Sequence, residues 1–148
     1  MQLISETNQH PLDVDLPALA RLLQRGGLGE RAPDALERSY QHSQYRWFGW
    51  QDNRLIATAH AITDFTWSAY VSDIVVDPDD QGRGYGDRLM QAILRDLAPV
   101  SKLFIYAVPD KVAFYQRWGC RPLATAMVYA DGPALTRLQQ GGYLSDAR

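Results

Sequence analysis

Residues 73–86 read Asp-Ile-Val-Val-Asp-Pro-Asp-Asp-Gln-Gly-Arg-Gly-Tyr-Gly, and they say more about the architecture than any other part of the chain. Their apolar start has the β-branched residues of a strand, and Pro78 ends that strand because proline cannot donate to a sheet ladder. Three glycines then let the backbone turn tightly, and the free N–H groups of the following helix point into the turn. The order of strand, glycine loop and helix predicts a site for a phosphate or pyrophosphate, which Arg83 can also contact.

The known phosphate-binding loops fit this stretch unequally. A Walker loop requires Gly-x-x-x-x-Gly-Lys-Ser/Thr, which the sequence lacks. A dinucleotide fingerprint requires Gly-x-Gly-x-x-Gly, but Gly86 comes one residue too early and the strand predicted near residue 106 does not end in an acidic residue. On these residues alone, a glycine-rich turn without a ligand stays open as an alternative.

Strand-like and helix-like segments alternate on both sides of the loop. Leucines at helical spacing predict a helix capped by Asp15, and further helices are predicted from Pro33, from the glycine loop, and from Pro109. Such alternation is typical of an α/β domain with helices on both faces of its sheet. Strands are predicted at residues 3–5, 45–50, 54–62, 69–76, 102–108 and 123–129, followed by a loose or weakly helical tail.

Length and composition limit the possible classes of protein. A chain of 148 residues with 46% hydrophobic and 22% charged residues is typical of one globular domain. A net charge of -2 argues against nucleic-acid binding, and no apolar run approaches the roughly 20 residues of a membrane span. The first residues do not look like a signal peptide, and Cys120 is the single cysteine. We therefore expect a cytoplasmic protein that binds neither nucleic acid nor membrane.

Two motifs in register resemble one known family. Gln81, Gly84 and Gly86 match the fixed positions of Gln/Arg-x-x-Gly-x-Gly/Ala, the motif of the GNAT superfamily of acyl-CoA-dependent N-acyltransferases. Residues 113–122 are similar to the Phe-Tyr-x-x-x-Gly-Phe segment of that family, except that Cys120 replaces the usual aromatic residue. The resemblance covers roughly residues 45–130.

The resemblance implies a fold and a division of the chain. The expected fold is α/β, with a mixed, mostly antiparallel sheet of about six or seven strands and about four flanking helices. A V-shaped splay is expected between the fourth and fifth strands. Residues 1–148 would form a single domain, in which residues 1–44 supply helical acceptor-side elements, residues 45–130 the acetyl-CoA-binding core, and residues 131–148 a tail.

The resemblance also implies acetyl-CoA as co-substrate, without a metal. The acetyl group would pass to a primary amine of a small molecule by direct attack in a ternary complex. A protein or peptide N-acetyltransferase, or a catalytically silent acyl-CoA-binding module, are the alternatives, and a homodimer is possible. The cofactor-binding residues would be Ile74, Val75, Val76, Gln81, Gly82, Arg83, Gly84, Tyr85, Gly86 and Phe114.

Three groups are needed for such a transfer, and the motifs suggest where they lie. Tyr115 matches the motif tyrosine that protonates the departing thiolate, and a phenol with a pKa of about 10 stays protonated at neutral pH. Asp73 precedes the expected cleft and is the candidate base, with His60 as the other possibility. A strand N–H of Val75 or Val76 would stabilise the oxyanion.

The acceptor side is rich in aromatic and acidic residues. Tyr70 stands where histone-modifying members of the superfamily carry glutamate, which argues against a close match to those enzymes. Residues 61–64 and 73–78 resemble the arylalkylamine (serotonin-type) branch. The histidines and Cys120 show no metal-ligand spacing, and no Gly-x-Ser-x-Gly nucleophile motif occurs. The candidate substrate-binding residues are Trp47, Asp64, Trp67 and Tyr70.

Overall fold

Five β-strands pair side by side in one sheet, in the order in which they occur in the chain. The computed structural model describes residues 1–145. The strands are β1 (Gln2–Thr7), β2 (Tyr45–Gln51), β3 (Arg54–Thr63), β4 (Ser68–Val76) and β5 (Lys102–Phe104), and the helices are α1 (Leu16–Arg25), α2 (Pro33–His42), α3 (Tyr85–Asp96), α4 (Val112–Arg117) and α5 (Gly132–Gln140).

The chain divides into two compact units. Residues 1–105 contain the whole sheet and the first three helices. The second unit begins at Tyr106 and contains α4 and α5. In the first unit, Asp15 caps α1 by accepting a hydrogen bond from the Ala18 N–H, as the sequence predicts.

The structure confirms a mixed α/β sheet but corrects the number of elements. Within residues 1–145 there are five strands instead of six or seven, and five helices instead of about four. The strand predicted at residues 123–129 does not form, and Met127 and Tyr129 are almost fully exposed. A strand is stable only when a neighbour accepts its backbone hydrogen bonds, and no described strand pairs with this segment. The extra helix, α5, lies in the tail, which was expected to be loose or weakly helical.

The direction of pairing changes at the edge of the sheet. The first four strands are antiparallel to one another, whereas β5 runs parallel to β4. This parallel pairing covers only residues 68–70 of β4 and residues 102–104, shorter than the strand predicted at residues 102–108. Residues 71–76 of β4 continue without a strand partner on that edge in the described part of the chain.

The core has two layers because consecutive strand residues point to opposite faces of the sheet. Phe48 of β2 faces α1 and α2, where it packs with Leu23, Tyr40 and Val75. The preceding residue, Trp47, faces α3 and donates an indole hydrogen bond to Asp96. The two helix layers therefore hold the central strands from both sides.

Burial in the α3 layer can be tested with one substitution made at two sites. Ile93 is completely buried in α3, whereas Ile4 of β1 is 41% exposed. Ile93→Ala should lower the free energy of unfolding by about 2–5 kcal/mol, because it removes buried methyl groups and leaves a cavity. Ile4→Ala should cost less than about 1 kcal/mol in the same urea titration. Equal losses at the two sites would contradict this placement of the core.

Candidate functional site

The glycine loop has the geometry of an anion cradle. Gly82 has φ +81° and Gly84 has φ +79°, a region that residues with a side chain rarely adopt. Nothing lies within 4 Å of the position that a Cβ would occupy at either glycine. Helix α3 begins at Tyr85 with no side chain capping its first N–H groups. The loop therefore has open space beside its glycines, at the positive end of a helix dipole.

The end of β4 leads directly into this loop. Ile74, Val75 and Val76 lie on the part of β4 that has no strand partner on the β5 side among residues 1–145. The side-chain amide of Gln81 donates to the Val76 carbonyl at 3.0 Å and ties the loop to the strand. An extended ligand arm can pair with such an edge like an added strand. The open edge and the loop contain the residues that the sequence predicts to bind an acyl-CoA.

Asp73 interrupts β4 with a bulge. Ser72 pairs with His60 and Val75 pairs with Thr58, so two residues of β4 face the single residue Ala59 of β3. Asp73 has φ +53°, a strained value for a residue other than glycine. The sequence shows no signal for this bulge.

The Asp73 carboxylate is held between two basic side chains. His60 Nε2 lies 2.7 Å from Oδ2, and the Arg31 guanidinium donates to Oδ1 at 3.0 Å and to Oδ2 at 3.3 Å. Burial acts to raise the pKa of Asp73. The hydrogen bonds and charges of His60 and Arg31 outweigh burial and hold the pKa of Asp73 below its ordinary value. Asp73 is therefore an ionised carboxylate at neutral pH.

Ser43, His60 and Asp73 are connected like a hydrolase triad. His60 Nδ1 lies 2.7 Å from Ser43 Oγ, and the opposite ring nitrogen meets Asp73. Ser43 is buried, however, and its hydroxyl also donates to the Ser39 carbonyl of α2. The His60 ring is buried as well and stacks on Tyr40. A nucleophile must be reached by its substrate, so this network supports Asp73 and does not form a second active centre.

Two of the predicted substrate-binding residues have structural duties. Asp64 accepts hydrogen bonds from the backbone N–H groups of Thr66, Trp67 and Ser68, and so closes the turn between β3 and β4. These backbone donors lower the pKa of Asp64. Trp47 is completely buried in the α3 layer, on the face opposite the one that α2 covers. Its position favours a packing role.

The other two predicted residues lie at the surface. Tyr70 of β4 is paired with Ile62 of β3 and with Phe104 of β5. These three side chains lie on the same face of the sheet as His60 and Ser72. Ile62 is 51% exposed and Phe104 is 38% exposed. We call these three residues the apolar shelf. Trp67 is exposed in the turn between β3 and β4.

Tyr115 and Phe114 lie in α4, in the second unit. Their rings meet edge to face at 5.1 Å, and the Tyr115 carbonyl accepts from the backbone N–H groups of Trp118 and Cys120. Burial, and to a lesser degree Cys120, raises the pKa of Tyr115 to about 12. The phenol therefore keeps its proton throughout the neutral range.

Two surface depressions lie near the turn between β2 and β3. One of about 700 Å³ lies beside the β2–β3 turn and is lined by Trp50, Asp52 and Asp15, among others. Another of about 570 Å³ lies between that turn and the end of α1. Neither is lined by Asp73 or by the loop glycines.

The sequence missed two members of the Asp73 network, Arg31, which bonds the carboxylate, and Ser43, which bonds His60. Arg31 lies in the segment between α1 and α2, and Ser43 lies just after α2. Both are far from residue 73 along the chain, and no spacing rule links them to it. The histidine at position 60 was the one available signal, since an imidazole in a strand needs a polar partner when it is buried.

The Asp73 network predicts a dependence of stability on pH. The pKa of Asp73 is lower in the folded chain than the ordinary value of about 3.9 in an unfolded one. Its contribution to stability is therefore present above that value and is lost as the pH falls through the lower, folded pKa. Asp73→Asn should unfold at a lower urea concentration than the wild type at pH 7, with the difference shrinking towards pH 3.

Asp34 supplies the control for this experiment. It is an exposed carboxylate in the first turn of α2, and Asp34→Asn removes the same charge outside the network. Its urea midpoint should stay close to that of the wild type at both pH values. An Asp73→Asn difference that persists undiminished at pH 3 would show that the contribution is not electrostatic.

Residues 1–145 lack two features that would point to other classes of protein. No helix in residues 1–145 is both long and apolar enough to cross a membrane. In the same residues, no three His, Cys, Asp or Glu side chains are grouped so as to hold a metal ion.

Two curated proteins are similar to this chain in sequence. The chain is 34% identical over 114 residues to serotonin N-acetyltransferase 2, chloroplastic, of Oryza sativa subsp. japonica, an alignment that covers 72% of this chain and 56% of the relative. It is 32% identical to histone acetyltransferase TAP1 of Glycine max, with coverage of 72% and 52%. The chain thus spans about half the length of these curated relatives.

The chain is also similar to a solved structure and to the sequence pattern of a protein family. A GNAT-family structure from Xanthomonas campestris pv. campestris superposes with a TM-score of 0.73 at 26% identity, covering 91% of this chain and 96% of that one. The sequence pattern of the acetyltransferase (GNAT) family matches residues 16–120. The glycine loop, the bulged strand and the helices that flank them all lie within that match. The chain therefore belongs to the acetyltransferase (GNAT) family.

Proposed function

We propose that this protein transfers the acetyl group of acetyl-CoA to a primary amine of a small molecule, in a ternary complex. The observation that carries the proposal is the open loop at Gly82 and Gly84, which leads from the unpaired edge of β4 into α3. Acetyl-CoA supplies an activated thioester, and every further requirement of the reaction falls to groups of the chain.

The cofactor is held mainly by backbone. N–H groups of residues 82–86 bind the pyrophosphate, and Arg83 adds a charge-assisted hydrogen bond. The edge of β4 at Ile74, Val75 and Val76 binds the pantetheine arm. An N–H of Val75 or Val76 stabilises the oxyanion of the tetrahedral intermediate, which is worth several kcal/mol when the donor is already in place. Gln81, Tyr85 and Phe114 complete the proposed cofactor contacts.

Asp73 serves the acceptor amine. Its ionised carboxylate attracts the amine and takes the proton that the nitrogen loses as the C–N bond forms. His60 and Arg31 keep the carboxylate in one position, because each contributes a hydrogen bond to it. The same contacts lower its pKa, so Asp73 accepts the proton only briefly and passes it on to solvent.

Tyr115 protonates the departing thiolate as the C–S bond breaks. This assignment rests on the match to the family motif and on the raised pKa of about 12, which keeps the phenol protonated before transfer. A positioned proton donor is worth roughly 10²–10⁴-fold in rate.

The apolar shelf suggests the kind of amine. Ile62, Tyr70 and Phe104 expose flat or branched apolar surface on the face that carries the Asp73 network. An amine whose nitrogen reaches the carboxylate can lay an aromatic or aliphatic body on these side chains. The name of the rice relative agrees with an aromatic amine. The name of the soybean relative points instead to a protein acceptor, which is the second candidate.

Removal of one hydroxyl tests the proton donor. Tyr115→Phe should lower kcat by about 10²-fold or more and leave the affinity for acetyl-CoA nearly unchanged, because only the transferable proton is lost. Release of free thiol from acetyl-CoA measures both parameters. Tyr129→Phe is the matched control, since Tyr129 is 93% exposed and should keep the wild-type kcat. A Tyr115→Phe variant with unchanged kcat would refute the acid role.

A panel of amines tests the acceptor class. With acetyl-CoA as donor, arylalkylamines should give a higher kcat/KM than short aliphatic amines or a peptide with a free N-terminus. Phe104→Ser should reduce kcat/KM for the aryl amines roughly two- to tenfold, the value of an aromatic contact. Phe65→Ser, at an exposed phenylalanine in the β3–β4 turn, is the control.

Each other outcome of the panel identifies an alternative. Preference for the peptide would establish the protein-acceptor function. Coenzyme A binding without thiol release for any acceptor would indicate a silent acyl-CoA-binding module. The cytoplasmic location and the possible homodimer stay predictions, and the rice relative is by name a chloroplastic protein.

A further inference from the structure

An acidic segment immediately precedes the proposed anion loop. Asp77, Asp79 and Asp80 lie on the single 3₁₀ turn that connects β4 to the loop, and we call them the acidic turn. Three carboxylates so close to a pyrophosphate site should repel the ligand. The fold must therefore compensate their charge if the loop is to hold an anion.

Arg25 compensates two of the three carboxylates. It ends α1, and its guanidinium donates to both oxygens of Asp77 at 3.0 Å and to Asp79 at 2.9 Å. The hydrogen bond from Arg25 is the main reason why the pKa of Asp77 is lowered. The forked geometry suits arginine and not lysine, because one planar group meets two carboxylates.

Arg54 compensates the charge of the third carboxylate, that of Asp80. It begins β3, and its two terminal nitrogens lie 3.0 Å from Asp80 Oδ2 and 3.2 Å from Asp80 Oδ1. Asp80 is almost completely buried, so water cannot screen its charge. Arg83 of the glycine loop lies 3.8 Å from the same carboxylate. Without Arg54, Asp80 would draw Arg83 towards itself and away from an anion at the loop.

We propose that Arg25 and Arg54 are positioning residues for coenzyme A, which neutralise the acidic turn and so keep the glycine loop and Arg83 available to its pyrophosphate. The inference rests on the proposed function, because it takes the loop as the coenzyme site. Neither arginine belongs to the family motif or to the residues predicted from the sequence to bind the cofactor. Both come from other elements of the first unit, α1 and the start of β3.

The test measures coenzyme A binding to the full chain by calorimetry at low salt. Arg25→Gln and Arg54→Gln keep a polar side chain that can still form hydrogen bonds, although it is shorter than arginine, and they remove the charge. Each should raise the Kd for coenzyme A about three- to tenfold, as expected for uncompensated charge near a partly screened site. Arg38→Gln is the matched control, because Arg38 is an exposed arginine on α2, away from the acidic turn, and its loss changes the net charge equally.

Two further readouts separate charge compensation from general damage to the fold. Acetyl-pantetheine lacks the phosphates, so its KM should not change in either variant. At about 1 M salt the screening length falls to about 3 Å, and the difference in Kd should nearly vanish. A KM for acetyl-pantetheine that rises together with the Kd would assign the arginines to folding alone and overturn the proposal.

Removal of the acidic partners gives the opposite test. Asp80→Asn in the Arg54→Gln background should restore wild-type affinity, and a failure to restore it would overturn the proposal. Asp79→Asn leaves both arginines in place, removes an exposed carboxylate, and should tighten coenzyme A binding about twofold. Wild-type protein that binds no coenzyme A would refute the proposed function. Normal wild-type binding with unaltered Arg→Gln variants would refute only this inference.

Discussion

The bulge at Asp73 is the constraint on which the functional edge of the sheet depends. In an uninterrupted strand, Ser72 and Ile74 would share a face. The extra residue makes Ser72 and Val75 share it instead, and Val75 thereby joins the core under α1 and α2. A positive φ at a residue other than glycine costs about 1–3 kcal/mol and persists only when its surroundings enforce it. Arg31 and His60 do so through the carboxylate.

Ion pairs that reach across the chain organise both sides of the proposed site. Arg31 links the segment after α1 to the bulge, while Arg25 and Arg54 link α1 and β3 to the acidic turn. Each of the three directs a planar fork at a carboxylate, which a lysine cannot reproduce. This use agrees with the composition, in which Lys102 and Lys111 are the only lysines. Helix α1 and the segment that follows it are therefore tied electrostatically to β4 and to the acidic turn.

Residues of the same type have different structural roles in this fold. Trp47 and Trp67 were both candidates for substrate binding. However, Trp47 is buried against α3, whereas Trp67 is exposed in a turn. Likewise Asp64 closes a turn, Asp77 pairs with Arg25, and Asp73 holds the bulge. These roles differ because the side chains lie on different faces of the sheet and are buried to different extents. The proposed acceptor surface is accordingly smaller than composition suggests, and it centres on the apolar shelf beside Asp73.

The sequence by itself determined the features that depend on near neighbours. The Asp15 cap, the glycine loop and the start of α3 follow from turn chemistry and spacing within a few residues, and the family follows from two such motifs. Only the tertiary structure decided the bulge, the ion pairs and the failure of residues 123–129 to form a strand. Arg31 and Asp73 are 42 positions apart, and Arg25 and Asp77 are 52 apart. Such contacts, like the pairing of a strand, depend on which distant segment lies alongside in the fold. Local sequence propensity does not determine which segment this is.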